Sequence, residues 1–559
     1  MLYYTCRPIT RKEVCMAEKT EGIVTNEVTG NQHYEAYMKA NGVGRKTTFG
    51  TSSENLHGRK KILVDDTEIT SENVIPVLVR ALGTHEHNRF EIEYLYNYRR
   101  GIQPSLYREK SVRPEIVAHI VENRASQIVD FRTGYMCGSS DAIQYVGSCS
   151  EGRQEEMSEL ISKLNEYMSD VDAPTENKQL FDWIFTCGVG YKMALPNVNA
   201  EYGDIHTTPF ETYVLDPRNT FVVYSNELGE PPIMGVRYVQ KENGEIVYNC
   251  YTEDTMYTVV QFELKGKTKY RLQGEPKGHI VKSIPIVEYI DNTMRMGSFE
   301  VVITLLDAIN NVACNREEAI EQFVQALLLM HNVDLTSEQY EELREQGAIQ
   351  FSDASPEKKA EISYISLDLN QDNTQVLVDN MMRAVREICG IPSQSDGNTS
   401  DSSNNGAVIM RQGWGQAEAK AKNSEEMFKV SERKFLRLVL GLCKDNTGTL
   451  KNLYPQDIQI VFTRRSYEDI STKANVLNLM LNNDSISDRI AFERCGIFPD
   501  PERAYLESKK EKEEKEKKAL ENAQKMQNAS NSATDDKDIG KHEEVSKMKQ
   551  KAGKNENAE

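Results

Sequence analysis

Apolar residues change period several times along this chain, and each change marks an expected element. From Ser71 to about Arg100, Ile75, Val77, Leu78 and Leu82, then Ile92, Leu95 and Tyr96, fall at helical spacing on either side of the polar "GTHEHNRF", which predicts two helices. Asn123 to Val146 predicts a helix to Gly134 and then a short strand. "EMSELISKLNEYMSDVDAPTENKQLFDWIFTCGVGYKMALPN" predicts two more helices, the second restarting at Pro174 and the cap candidate Thr175. Between Tyr213 and Tyr289 the pattern becomes short β-branched and aromatic runs, "TYVLDP", "TFVVYSN", "PIMGVRYVQ", "EIVYNCYT", "MYTVVQFE" and "IPIVEYI". With the Asn-Gly of "KENGEIV" they predict antiparallel hairpins.

After Asn292 the helical period returns. From Ser298 to Met330, Val302, Leu305, Leu306, Ile309, Val312, Ala313, Ile320, Phe323, Val324 and Leu327 share a face, and Asp307, Glu317, Glu318 and Glu321 occupy the rest. Some thirty residues at ~1.5 Å each predict a rod on the order of 45 Å. An insert from Asn332 to Asn370 follows, with a capped helix in "TSEQYEELREQG" and strands in "AIQF" and "ISYISLDL". A returning helix is expected over Asn373–Cys389, where Val376, Leu377, Met381, Ala384, Val385 and Ile388 align. "GIPSQSDGNTSDSSNNGAV", Gly390 to Val408, then interrupts with Ser, Asn and Gly before a long helix from Gly406 to Cys443. One strand and short helices lead to Glu507, and from Ser508 a Lys/Glu alternation predicts an exposed, fraying helix and then disorder.

The chain has 559 residues and 63.6 kDa, enough for two to four units at about 100–200 residues per domain. Its 39% apolar content is spread through the middle, and both ends are polar. A net charge of −19 excludes a broad basic face that grips nucleic acid, though not DNA passing by without being held. Ten cysteines without CxxC or metal-like spacing predict reduced, buried thiols and synthesis in the cytoplasm. No apolar run approaches the ~20 residues of a membrane span, and the first residues lack a signal-peptide centre.

Reactive motifs fail on their spacing. "GVGRKTT" at Gly42 separates Gly44 from Lys46 and lacks a preceding strand, so it is no phosphate loop. "HEH" at His85–His87 is not HExxH and reads as a solvated pair. Asp65–Asp66 and Glu155–Glu156 read as solvated surface, and Gly188 and Gly190 form GxG without a third glycine. No nucleophile, base and orienting group come together. No catalytic residue, metal or cofactor is expected.

Longer phrases carry a resemblance: "YLYNYRRGIQPSLYR" (Tyr94–Arg108), "NRASQIVDFRTGYMCG" (Asn123–Gly138), "PFETYVLDPRNTFVVYSN" (Pro209–Asn226), "IPIVEYIDNTMRMGSFEVVITLLDAINN" (Ile284–Asn311) and "GIPSQSDGNTSDSSNNGAVIMRQG" (Gly390–Gly413). In this order, between about 75 and 505, the chain resembles the portal proteins of tailed double-stranded DNA bacteriophages, in the branch typical of long-tailed phages of Gram-positive hosts. The resemblance implies a mainly helical α+β portal fold with wing, stem helices, small α/β clip, tunnel loop and helical crown. It implies a homo-oligomeric ring of twelve at one capsid vertex of the virion, through which DNA is packaged by the terminase motor and later ejected. Further implied partners are the terminase large subunit, head-completion or connector proteins, scaffold and major capsid proteins, and the passing double-stranded DNA, with no membrane.

On that plan the chain divides into a loosely ordered arm (1–70), wing (71–291), first stem helix (292–331), clip (332–372), second stem helix (373–390), tunnel loop (391–405), long wing helix and strand (406–464), crown (465–507) and a charged, largely disordered tail (508–559). The implied tunnel-loop residues are Gly397, Asn398, Ser402, Asn404, Asn405 and Gly406. The implied clip docking residues are Glu338, Glu341, Glu342 and Gln350. Where relatives show Ser-Gly before the post-loop helix and a Lys within it, this chain has Asn405-Gly406 and Met410-Arg411. Acidic rods around a ring would repel phosphate and let DNA slide. The alternative is another helical capsid-vertex or head-tail connector binding protein, and a capsid-associated nuclease or ATPase stands as a third class.

Overall fold

One helix, α1 (Val74–Arg99), serves two cores. Its first half buries Val74, Val77, Leu78, Ala81 and Leu82 in one apolar cluster, and its second half buries Ile92, Leu95 and Tyr98 in another. Two helices were expected over this stretch, with the polar "GTHEHNRF" lying between their apolar positions. In the computed structural model the helix runs through it, because His85, Asn88 and Glu91 are buried against polar partners rather than solvated. The structure describes residues 58–110, 114–139, 142–147, 154–264, 267–324, 327–331, 361–365, 371–392, 413–464, 470–483, 485–498, 501 and 503–524.

The first half of α1 lies on a seven-stranded sheet made of β1 (Ile62–Val64), β5 (Thr220–Ser225), β6 (Pro232–Gln240), β7 (Ile246–Tyr251), β8 (Thr255–Leu264), β9 (Lys267–Leu272) and β10 (Lys277–Gly278). The order is β1-β5-β6-β7-β8-β10, with β9 also on β8, and only β1 on β5 is parallel. Strand β5 is buried on both faces. Phe221 and Val223 point to the cluster under α1, and Val222 and Tyr224 point to the other, as the twofold period of a strand requires. The Asn-Gly turn joins β6 to β7 as expected, with Lys241 N–H on Glu245 O at 2.8 Å.

The larger core packs α2 (Arg124–Cys137), α3 (Gln154–Asp170), α4 (Ala173–Cys187) and α7 (Trp414–Leu442) around a three-stranded antiparallel sheet. That sheet has the order β11-β3-β4 (Ile286–Ile290, Val189–Pro196, Phe210–Leu215). In α7, Ala417, Ala421, Ser424, Phe428, Ser431, Phe435, Leu438 and Leu442 are buried, alternating steps of four and three. Within this stripe Glu432 is fully buried and accepts from both Tyr145 and Tyr289 at 2.6 Å, so two phenols satisfy its two oxygens. Strands β2 (Ile143–Gly147) and β14 (Ile458–Phe462) pair antiparallel and close the unit.

The expected rod over Ser298–Met330 is shorter. A 3-10 turn (Glu300–Val302) leads into α5 (Ile303–Val324), 22 residues or ~33 Å. The chain then becomes β12 (Leu327–His331), antiparallel to β13 (Glu361–Ile365). "LLLMH" is a continuous apolar run that fits a helix or a strand equally, and only its pairing with "EISYI" decides. Helix α6 (Gln371–Cys389) returns beside α5. The arm expected over 1–70 also ends early, because β1 joins the sheet and Arg59 is buried at 3% exposure. Cys137, Cys187, Cys250, Cys314, Cys389, Cys443 and Cys495 are free and buried, as expected.

Residues 466–559 form a second unit. There α8 (Ile470–Leu481) packs on α9 (Asp488–Cys495), and Phe492 stacks on Phe498 at 5.3 Å. A helix over 503–524, α10, is exposed from 509 onward. It carries Lys515–Glu511 and Lys518–Glu514 pairs at i,i+4 spacing, the support a helix without an apolar face requires.

Candidate functional site

Antiparallel helices α5 and α6, and the place where the chain leaves α6 and returns as α7, form the most distinctive constellation. An extended segment holds α5 in place. The backbone N–H groups of Glu122, Ile120 and Ala118 donate to Asn310 Oδ1 (2.9 Å), Cys314 Sγ (3.2 Å) and Glu318 Oε1 (3.1 Å). Two residues of extended chain rise about as far as four residues of helix, so alternate amides meet side chains at i, i+4 and i+8. Asn310 Nδ2 also donates to Gln103 Oε1 at 2.6 Å, Tyr98 Oη donates to Asp307 at 2.8 Å, and Arg108 reaches Asn315 at 2.7 Å. Sequence reading missed this zipper. Its signal was a polar Asn310, Cys314, Glu318 stripe on an otherwise amphipathic helix.

The zipper corrects the expected acidic face of α5. Glu318 is buried and paired with Lys110 and Arg108, and these cations with the Ala118 amide hold its carboxyl below its usual range although burial alone would raise it. Asp307 faces Tyr98. Glu317 and Glu321 remain exposed, and α6 adds exposed Asp372, Asp379 and Glu387 against Arg383 and Arg386. The outward surface is acidic by a smaller margin than the sequence suggests.

Burial raises the Asp307 carboxyl to about 6, with the Tyr98 hydrogen bond pulling the other way. The folded chain therefore binds more protons than the unfolded chain between pH 4 and 6, and this group's contribution to stability falls as pH rises through that window. Asp307→Asn is expected to raise the unfolding midpoint at pH 8 by the equivalent of ~1 kcal/mol and to leave it unchanged at pH 4. Melts of both proteins across this range check it, and parallel pH curves would contradict it.

At the C-terminus of α6 the chain turns through Gly390 with φ of 68°, a left-handed conformation, and an added Cβ would come 2.6 Å from Lys420 Cδ. Lys420 lies across this turn and donates from Nζ to Ile388 O, so an ammonium caps the negative end of α6. Burial and then the neighbouring Arg132 hold that ammonium below its usual range. On the far side, α7 starts after Gly413, whose added Cβ would lie 3.8 Å from Pro392 Cα. Pro392 and Gly413, the described residues on either side of 393–412, are therefore neighbours. Trp414 sits 6.1 Å from Phe131 and 6.0 Å from Tyr135, and Tyr135 Oη donates to Glu418 at 2.8 Å.

The residues expected to line the tunnel loop, Gly397, Asn398, Ser402, Asn404, Asn405 and Gly406, lie outside the described residues, as do Glu338, Glu341, Glu342 and Gln350. The "HEH" reading is corrected. His85 is 1% exposed, stacks on Phe221 at 4.3 Å and contacts Tyr238 Oη at 3.2 Å; burial pushes it down to about 3, and it stays neutral. Gly188 of the GxG ends α4 where a Cβ would come 2.2 Å from Arg295 O, so it permits packing between backbones. Among the described residues no group of three His, Cys, Asp or Glu is placed to hold a metal ion. No helix among them is long and apolar enough to cross a membrane.

The described residues form a mixed α+β fold in which buried ion pairs and hydrogen bonds fix α5, α6 and the start of α7. The chain belongs to the phage portal protein family, SPP1 Gp6-like, whose model matches residues 82–518. Comparison with curated proteins gives no match. The family is structural, and its members form oligomeric rings at a capsid vertex of the virion and serve genome packaging.

Proposed function

We propose that this chain forms a ring of twelve through which the terminase motor drives genomic DNA into the capsid, and through which the DNA later leaves. The observation that carries this reading is the family match over 82–518. On this reading 292–331, with α5, and 373–390, with α6, are the stem, residues 332–372 the clip, 391–405 the tunnel loop, 71–291 and 406–464 the wing, and 465–507 the crown.

Exposed apolar side chains on the stem support it. Val376 (58%), Leu377 (51%) and Ile388 on α6, with Val301 in the 3-10 turn before α5 and Ile320 on α5, are open to solvent in a single chain. Neighbouring stems in a ring would cover them. The exposed carboxylates of both helices would face the tunnel and let a polyanion slide.

The clip docks the terminase large subunit and later the head-completion proteins through Glu338, Glu341, Glu342 and Gln350. Reversing Glu341 and Glu342 to Lys is expected to leave ring assembly intact and to weaken terminase binding in pull-down titrations. Equal binding by the reversed and native rings would remove this face from the docking surface.

A further inference from the structure

One side chain joins α2 to the turn before α5 and to α7 at the root of the 393–412 segment. Arg132, on α2, donates from Nη1 to Asp291 Oδ2 (3.1 Å) and Ser298 Oγ (2.7 Å), and from Nη2 to Asp291 Oδ1 (3.1 Å) and Ser424 Oγ (2.7 Å). Ser424 closes the circuit onto Asp291 at 2.5 Å, and the guanidinium lies 4.2 Å from the Phe185 ring centroid. These partners belong to two parts of the root, the turn before α5 and helix α7. Asp291 and Ser298 bracket the turn that precedes α5. The Ser298 carbonyl accepts from Cys389 Sγ, the last residue of α6, at 3.7 Å. Ser424 lies on α7 one turn beyond Lys420, the residue that caps α6.

We propose that Arg132 and Lys420 are positioning residues that tie the end of α6 and the start of α7 to α2, so that a displacement of α2 carries the root of the 393–412 segment with it. The chemistry favours an arginine here. A planar fork with five donors can serve one carboxylate in bidentate fashion and two hydroxyls on separate elements at once, and a lysine ammonium cannot span them. Lys420 completes the tie, because its Nζ is the link from α7 to the final turn of α6. In portal terms, which rest on the reading of 391–405 as the tunnel loop, a displacement of the wing would reach the loop through this node.

The test uses the full-length chain with Arg132→Lys and, separately, Lys420→Met, a change at a half-buried site. Hydrogen exchange is followed at the amides of Gly390 and Ile391, which bond back to Glu387 and Arg386, and at Gln416 and Ala417, which bond to Gly413. These are expected to exchange about tenfold faster, the effect of losing one charge-assisted hydrogen bond, while α1 amides keep native rates and rings still assemble. DNA-filled particles in a complementation assay should fall several-fold. Native exchange at the root in Lys420→Met overturns the tie, and faster exchange with normal filling overturns its role in translocation. Normal filling by a chain with a shortened loop would instead remove the tunnel-loop reading, and leaves the exchange result to be judged alone.

Discussion

Deleting Ser393 to Asn405 is expected to leave ring assembly and thermal stability at native levels while removing most DNA-filled particles. The first half of this expectation rests on geometry. Pro392 and the start of α7 are already neighbours, so the chain can be rejoined over the remaining residues without pulling α6 from α7. A shorter loop also has a lower closure entropy cost. The second half rests on composition and on the tunnel-loop reading: Gly390–Val408 is rich in small polar residues and has no Lys or Arg, which would suit contact with DNA without retention. Particle counts by electron microscopy, with DNA content measured on the same preparation, decide it. Normal filling by the deletion variant would end the tunnel-loop assignment.

A stability effect of comparable weight is expected at Arg59. Its guanidinium meets Glu91 at 2.8 Å and Glu300 at 2.6 Å, and donates to Cys187 O at 3.1 Å, with all three charged side chains almost fully buried. Burial alone would lower the guanidinium, but Glu300 and Glu91 hold it above its usual value. Arg59→Met strands two buried carboxylates and should cost about 3–5 kcal/mol. Urea unfolding followed by the fluorescence of Trp183 and Trp414 measures the loss. Adding Glu300→Gln to Arg59→Met should restore part of it, because one of the stranded charges is then removed. A single variant as stable as the native chain would show that residues 58–64 are not held by this network.

Much of the helical plan was legible because it is local. The return of α6 after an insert, the hairpins of β6 and β7 and the stripe of α7 all follow from residues a few positions apart. The failures share a different cause. "LLLMH" is a strand because of "EISYI" more than thirty positions later, and His85 is buried because Phe221 and Tyr238 lie against it. Arg59 belongs to the fold because Glu300 is there to meet it, and Glu318 leaves the acidic face because Lys110 and Arg108 reach it. Polar residues with distant partners look like surface when read alone.

The phrases that carry the family resemblance hold several of these distant partners. "YLYNYRRGIQPSLYR" supplies Tyr98, Gln103 and Arg108 to α5, and "NRASQIVDFRTGYMCG" supplies Arg132 to Asp291 and Ser298 of "IPIVEYIDNTMRMGSFEVVITLLDAINN". Read as contacts, these phrases are the two faces of one support for α5 and the turn before it. The residues expected to meet DNA and the motor lie outside the described residues.

The central claim is a ring with a passage for DNA. Light scattering on the purified full-length chain, with negative-stain images of the same fractions, tests it most directly. The account predicts ring-shaped particles with a central hole and a mass about twelve times 63.6 kDa. A monodisperse monomer at every concentration, with scaffold and capsid proteins present as well as absent, would contradict it.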